Sequence, residues 1–215
     1  MTEEDAASRV APVVLLARPP LAIIRLNRPA ERNPLSISTL NQLDSIMSAL
    51  LERTDIKAII FTGTGDVFAS GANIRELSQL APASAREYAR RGQLLFNKID
   101  GARQLTIAAV NGYCMGGGLD LALACDLRYA SRDAQFAHPG ARLGIITGWG
   151  GTQRLPRLLG MSRALEILLT ARRVTGSEAL EIGLVNQVHD PVLDYACRIA
   201  AEHNSVATTA GSILS

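Results

Sequence analysis

From Ile107 to Val110 the chain is a run of apolar, buried-type strand residues, and within a few positions it meets three consecutive glycines, Gly116-Gly117-Gly118. An apolar helix, Leu119 to Cys125, begins at once. Few folds accommodate such a run. Backbone without side chains at a helix start leaves N–H donors facing open space, with the positive end of the helix dipole behind them. An oxygen that carries or acquires negative charge fits there. Glycine would equally serve a plain tight turn, but three in succession after a buried strand favour a site. The spacing Gly112-x3-Gly116-Gly117-Gly118 is not the G-x-G-x-x-G of a dinucleotide site, and Leu119 stands where a phosphate loop would carry lysine.

The length, 215 residues, suits one sizeable core. With 22 basic and 20 acidic residues scattered along the chain, and arginines paired only at Arg90-Arg91 and Arg172-Arg173, no basic patch points to nucleic acid. An aromatic content of 4% also argues against stacked bases. Cys114, Cys125 and Cys197 lie in apolar surroundings and read as reduced, buried thiols. No apolar run approaches a membrane span, and residues 1–9 are polar and acidic, so a cytoplasmic protein without a membrane partner is expected.

Strands are expected at Val13–Leu16 and Leu21–Leu26, joined as a hairpin through Arg18-Pro19-Pro20. Ser36 or Ser38 caps a helix reaching Arg53, with Leu40, Leu43, Met47, Leu50 and Leu51 at helical spacing. Ile56–Thr62 is a continuous apolar strand of the kind buried on both faces. Further helices are expected over Ala83–Asp100, after Gly150-Gly151, over Ser162–Leu169, after a Ser177 cap, and from Pro191 to His203. Short strands fall at Leu127–Ala130, Gln135–His138 and Leu184–Val188. Strand, strand, helix recurs, which suggests an α/β (α+β) chain of successive ββα turns stacked on one another. The division expected is a flexible N-terminus, 1–12, one folded domain, 13–203, and a short tail, 204–215, poorly ordered or cut short.

A second constellation, Phe68-Ala69-Ser70-Gly71-Ala72-Asn73-Ile74, also follows a buried strand and consists mainly of small residues. Alone it is an ordinary turn. With the glycines it offers what acyl chemistry needs, two N–H donors from separate loops converging on one carbonyl oxygen.

These motifs, with Asn27-Arg28-Pro29, Ala108-Ala-Val-Asn-Gly-Tyr113, Cys125-Asp126 and Gly150-Gly-Thr-Gln-Arg-Leu155, resemble the crotonase (enoyl-CoA hydratase/isomerase) superfamily from about Val13 to His203. The resemblance implies a crotonase-like spiral of ββα units and an acyl-CoA thioester as substrate, with no cofactor beyond its coenzyme A moiety and no metal. It implies an oxyanion hole from the amides of Ser70 and Gly117, with coenzyme A against Arg28, Arg32 and the backbone of Ala72, Asn73 and Ile74. It also implies a homo-oligomer, trimer or hexamer. Relatives typically continue for a few more helices, so the C-terminal helices are expected to be missing here, leaving an open pocket and weaker oligomer contacts.

The departures bear on the reaction. A hydratase of that family uses two glutamates, because adding water needs one group to deprotonate it and another for the α-carbon proton. Here the first position is Asp120 and the second is Gly140. Asp120 is thus the candidate base, although a carboxylate in the first turn of a helix is stabilised there in any case. His138, two residues before Gly140, would face the same side on a strand and is a candidate substitute acid/base. Trp149 stands where something smaller is usual, as a pocket or a core residue, and Asn73 replaces an aspartate. Double-bond isomerisation, or another single-base enolate reaction such as decarboxylation, is therefore expected over hydration. The alternative is a non-catalytic acyl-CoA-binding relative.

Overall fold

In the computed structural model the backbone is described for residues 11–213 and side chains to His203. Most of the N-terminal segment expected to be flexible, residues 1–10, lies outside the described residues, as do residues 214–215. Twelve strands form three sheets among the described residues. In chain order the strands are β1 (Val13–Arg18), β2 (Leu21–Leu26), β3 (Pro34–Leu35), β4 (Ala58–Gly63), β5 (Val67–Ala69), β6 (Gly71–Ala72), β7 (Leu105–Val110), β8 (Tyr113–Met115), β9 (Leu127–Ala130), β10 (Gln135–Ala137), β11 (Val174–Thr175) and β12 (Gln187–Val188). The helices are α1 (Ile37–Leu51), α2 (Ile74–Ser78), α3 (Pro82–Asp100), α4 (Gly117–Leu123), α5 (Gly151–Leu159), α6 (Met161–Thr170), α7 (Gly176–Glu181) and α8 (Val192–Ile213).

The large sheet runs β1-β2-β4-β7-β9-β12, parallel except for the β1–β2 hairpin. Its central strands read as continuous apolar runs because each face meets a separate core. Ile59 and Phe61 of β4, with Ala108 and Val110 of β7, join the main core beneath α1 and α3. Ala58 and Ile60, with Ile107 and Ala109, face Val192, Ala196 and Ala200, the one-face spacing of α8. A smaller sheet, β11-β10-β8-β5, and the two-stranded β3-β6 stand beside it. The mixed α/β architecture matches the expected class.

Side chains named by their motifs prove to be clamps. Ser36 caps α1, accepting from Thr39 N at 3.2 Å. Asn111 accepts from Gly63 N and donates to Gly65 O, both at 2.8 Å, and so fixes the turn after β4. Asp126 accepts from the N–H and the hydroxyl of Thr106 at 2.8 Å each, which explains the Cys125-Asp126 pair structurally. Arg154 donates to Asn97 at 2.8 Å and ties α5 to α3.

Four expectations change. The glycine run is not fed directly by β7: the chain crosses to the small sheet and forms β8 first, a strand too short to stand out as a separate apolar run. The strand expected to reach His138 stops at Ala137, because Pro139 starts a 3-10 helix, Pro139–Leu143, directly after His138. Thr175, not Ser177, caps α7, accepting from Glu178 N at 3.2 Å. Finally, α8 continues to Ile213 through residues expected to be a poorly ordered tail. No described helix is long and apolar enough to cross a membrane. Among the described residues no group of three or more His, Cys, Asp or Glu could hold a metal ion.

Candidate active site

At the end of the small sheet, β5, β8 and β10 deliver three loops to one place. β8 pairs in parallel with both β5 and β10, with Cys114 opposite Ala69 and Phe136, so all three strands leave in the same direction. From β8 comes Gly116, in a positive-φ conformation, followed by α4. From β10 comes His138 with its 3-10 turn, and from β5 the Ser70–Asn73 segment. They enclose a cavity of about 250 Å³, which the 145–149 segment and the flank of α3 complete. The walls are largely apolar, and Asp120 and His138 supply ionisable groups.

Gly117 is the first residue of α4, so its N–H has no acceptor within the helix. The facing donor is not the expected one. Ser70 lines the cavity, but its N–H donates to Arg32 O at 3.1 Å and Asn33 O at 3.3 Å and is spent there. The Ser70 assignment is corrected accordingly. Two residues on, Ala72 also lines the cavity, opposite Leu35 in the short β3–β6 pair. Its backbone N lies 3.5 Å from where a Cβ on Gly117 would be.

Asp120, one turn into α4, is 1% exposed. Its Oδ2 accepts a hydrogen bond from the Thr147 hydroxyl. Its Oδ1 lies 3.1 Å from His138 Nε2, but off the line of the imidazole N–H. Among the described residues neither atom has a hydrogen-bond partner, although both are buried. Buried polar atoms are rarely left so, and such a pair at a cavity marks a place for a ligand or a proton transfer. Gly140 bears no side chain, as the sequence required, and it lines the same cavity. Below the site the Cys114 thiol is pushed well up, by burial first and then by the Asp120 carboxylate. The Tyr88 hydroxyl is pushed up by burial and then by Glu76.

The coenzyme A candidates lie on neighbouring loops. Arg28 pairs with Glu31 at 3.8 Å, and the Arg32 guanidinium sits 4.9 Å from the centre of the Tyr113 ring. The Asn73 side chain caps α2, accepting from Arg75 N at 3.0 Å, and Ile74 is exposed. Thr147, Tyr88 and Gly151 entered no sequence motif as site residues, because only folding brings them to Asp120. A Cβ on Gly151 would collide with Asp120 Oδ1 and stand 3.0 Å from His138 Nε2, which explains the second glycine of Gly150-Gly151.

The model of the enoyl-CoA hydratase/isomerase family matches residues 18–214. The short-chain-enoyl-CoA hydratase of Clostridium acetobutylicum is 38% identical over 180 residues, covering 83% of this chain and 69% of that protein. The crotonyl-CoA hydratase of Syntrophomonas wolfei is 41% identical over the same length, with the same coverage. Among solved structures, Pseudomonas aeruginosa DspI superposes with a TM-score of 0.86 at 38% identity, covering 90% of this chain and 80% of that one. An enoyl-CoA hydratase from Bacillus anthracis gives 0.85 at 35% identity, covering 89% and 76%.

Proposed function

The chain belongs to the enoyl-CoA hydratase/isomerase family, and we propose that it binds an acyl-CoA thioester, stabilises its enolate and moves a proton with Asp120. The observation that carries this is a buried carboxylate at a cavity, one turn inside the helix whose first amide is free. The thioester oxygen accepts from the Gly117 and Ala72 amides. As the α-carbon loses a proton, charge gathers on that oxygen between donors already in position, so little reorganisation opposes it. Coenzyme A lies against Arg28, Arg32 and the backbone of residues 72–74, with no further cofactor.

Because Gly140 supplies no second carboxylate, isomerisation is the favoured reaction. Asp120 takes the C2 proton of a 3-enoyl thioester, the electron pair spreads over the dienolate, and the same proton returns at C4. A 2-enoyl thioester results, and nothing is added or lost. A specific observation favours hydration as the second reading: His138 Nε2, 3.1 Å from Asp120, is a second titratable group. One of the pair would then deprotonate water and the other would protonate the α-carbon.

Incubation with 3-enoyl and 2-enoyl thioesters in ¹⁸O-water separates these readings. Isomerisation gives no label, whereas hydration gives a labelled 3-hydroxyacyl product. Binding without turnover of enoyl, dienoyl and malonyl thioesters would instead establish a non-catalytic relative. Trp149, the only tryptophan, lines the cavity, so its emission reports binding directly. The exposed Leu158, Met161, Leu165 and Leu169 on α5 and α6 support assembly as trimers or hexamers, which light scattering tests. Three free cysteines fit a reducing, cytoplasmic setting.

A further inference from the structure

The cavity's walls are unequal. On the α3 side it is closed by the buried indole of Trp149. The Cζ3 and Cε3 atoms occupy the space a Cβ on Gly117 would need, and Cδ1, Nε1 and Cε2 the space a Cβ on Gly92 would need. The ring is therefore wedged between the oxyanion glycine and α3. Tyr88 and Phe96 brace it, with ring centres 5.3 and 5.7 Å away. Beyond it lies a second cavity, lined by Gln93, Asn97, Gln153 and Arg154, and Trp149 is a wall of both. Other lining residues are open to solvent: Ile145 is 48% exposed and Ile146 63%.

We propose that Trp149 selects acyl groups by shape: it excludes branching at the carbons next to the thioester and leaves chain length free. The inference rests on the reading that a thioester oxygen binds at the Gly117 amide. An oxygen accepting from that amide lies about 2.9 Å from its nitrogen. Substituents on the α-carbon then come within van der Waals reach of the indole edge. Tyr88 and Phe96 limit how far the ring can yield, so an added methyl there strains the packing. A linear chain carries a single carbon on its α-carbon, which can turn away from the indole toward the exposed Ile145 and Ile146.

The test is calorimetric binding of butyryl-, octanoyl- and 2,2-dimethylpropanoyl-CoA, saturated thioesters that need no turnover, to the wild type, Trp149→Ala and Trp149→Phe. The wild type should bind the two linear thioesters within about threefold of each other, and the branched one about tenfold or more weaker, the discrimination a methyl-sized misfit commands. Trp149→Ala should bring the branched thioester to within about threefold of butyryl-CoA. Trp149→Phe, which keeps an aromatic filler, should fall between and carries the test if the alanine variant does not fold. Wild type that binds branched and linear thioesters alike overturns the role of Trp149 and leaves the acyl-CoA reading standing. So do variants that keep the discrimination, or that change only the octanoyl-to-butyryl ratio. Wild type that binds none of the three overturns the acyl-CoA reading itself.

Discussion

Substituting Gly151 by alanine adds one methyl group at the point where Asp120, the proposed base, is held. Its Cβ would collide with Asp120 Oδ1, stand 2.8 Å from Thr147 Cγ2 and 3.0 Å from His138 Nε2. All three belong to the same cluster, so relief in one direction transfers the clash to another. The Asp120 carboxylate can retreat only by giving up the hydroxyl of Thr147. Overpacking of this kind costs about 1–3 kcal/mol. Gly151 opens α5 in ordinary helical backbone, so alanine recovers about 0.5–1 kcal/mol of helix preference. The net loss, about 0–2.5 kcal/mol, corresponds to a fall in Tm of at most about 10 °C for a chain of this size. Activity should suffer more, because displacing a reacting group by about 1 Å costs about 100-fold in rate. Steady-state kcat on an enoyl thioester, beside thermal denaturation and acyl-CoA affinity, reads the three quantities separately. Ser36→Ala is the control: it removes the cap of α1 at a residue that does not line the cavity and costs about 1 kcal/mol. A Gly151→Ala enzyme within about threefold of wild-type kcat, or a Ser36→Ala enzyme equally impaired, would refute the assignment of this cluster as the seat of proton transfer.

Asp120→Asn should lower kcat by about 10²–10⁴-fold while acyl-CoA affinity holds, and an unchanged rate would move the base elsewhere. His138→Gln should leave isomerisation in place and remove any hydration; equal loss of both would make His138 a structural support for Asp120. Ser36→Ala should cost about 1 kcal/mol in urea denaturation by removing the cap of α1, with no effect on acyl-CoA affinity. Stability should also fall in alkali. Burial, with Asp120 second, holds the Cys114 thiol above its ordinary 9.0, and burial does the same for Cys125. Above about pH 9 the unfolded chain releases these protons while the folded chain keeps them. Each thiol thus subtracts about 1.4 kcal/mol per pH unit, and Cys125→Ala should make the slope shallower. A slope unaltered by that substitution counts against the explanation.

The sequence by itself determined the elements and most of the chemistry-bearing types. Periodicity placed α1, the apolar strand at β4 and the hairpin, because those signals lie within a dozen residues and depend on which face is buried. The glycine run announced a helix start able to face an anion, and the absent side chain at Gly140 was visible at once. Tertiary structure decided which groups are free to act. The Ser70 amide is taken by carbonyls of residues 32 and 33, whereas Ala72, two residues on, lines the cavity with its N beside Gly117. His138 reached Asp120 from the N-terminus of a 3-10 turn and not from a strand, and Thr147 came from farther along the chain. Trp149 became a wall because Gly92 and Gly117, 25 residues apart in sequence, both leave room for its ring. Local patterning encodes burial and turn preference. Whether a donor is spent, or a ring has space, depends on atoms brought up from distant parts of the chain, and only packing fixes that.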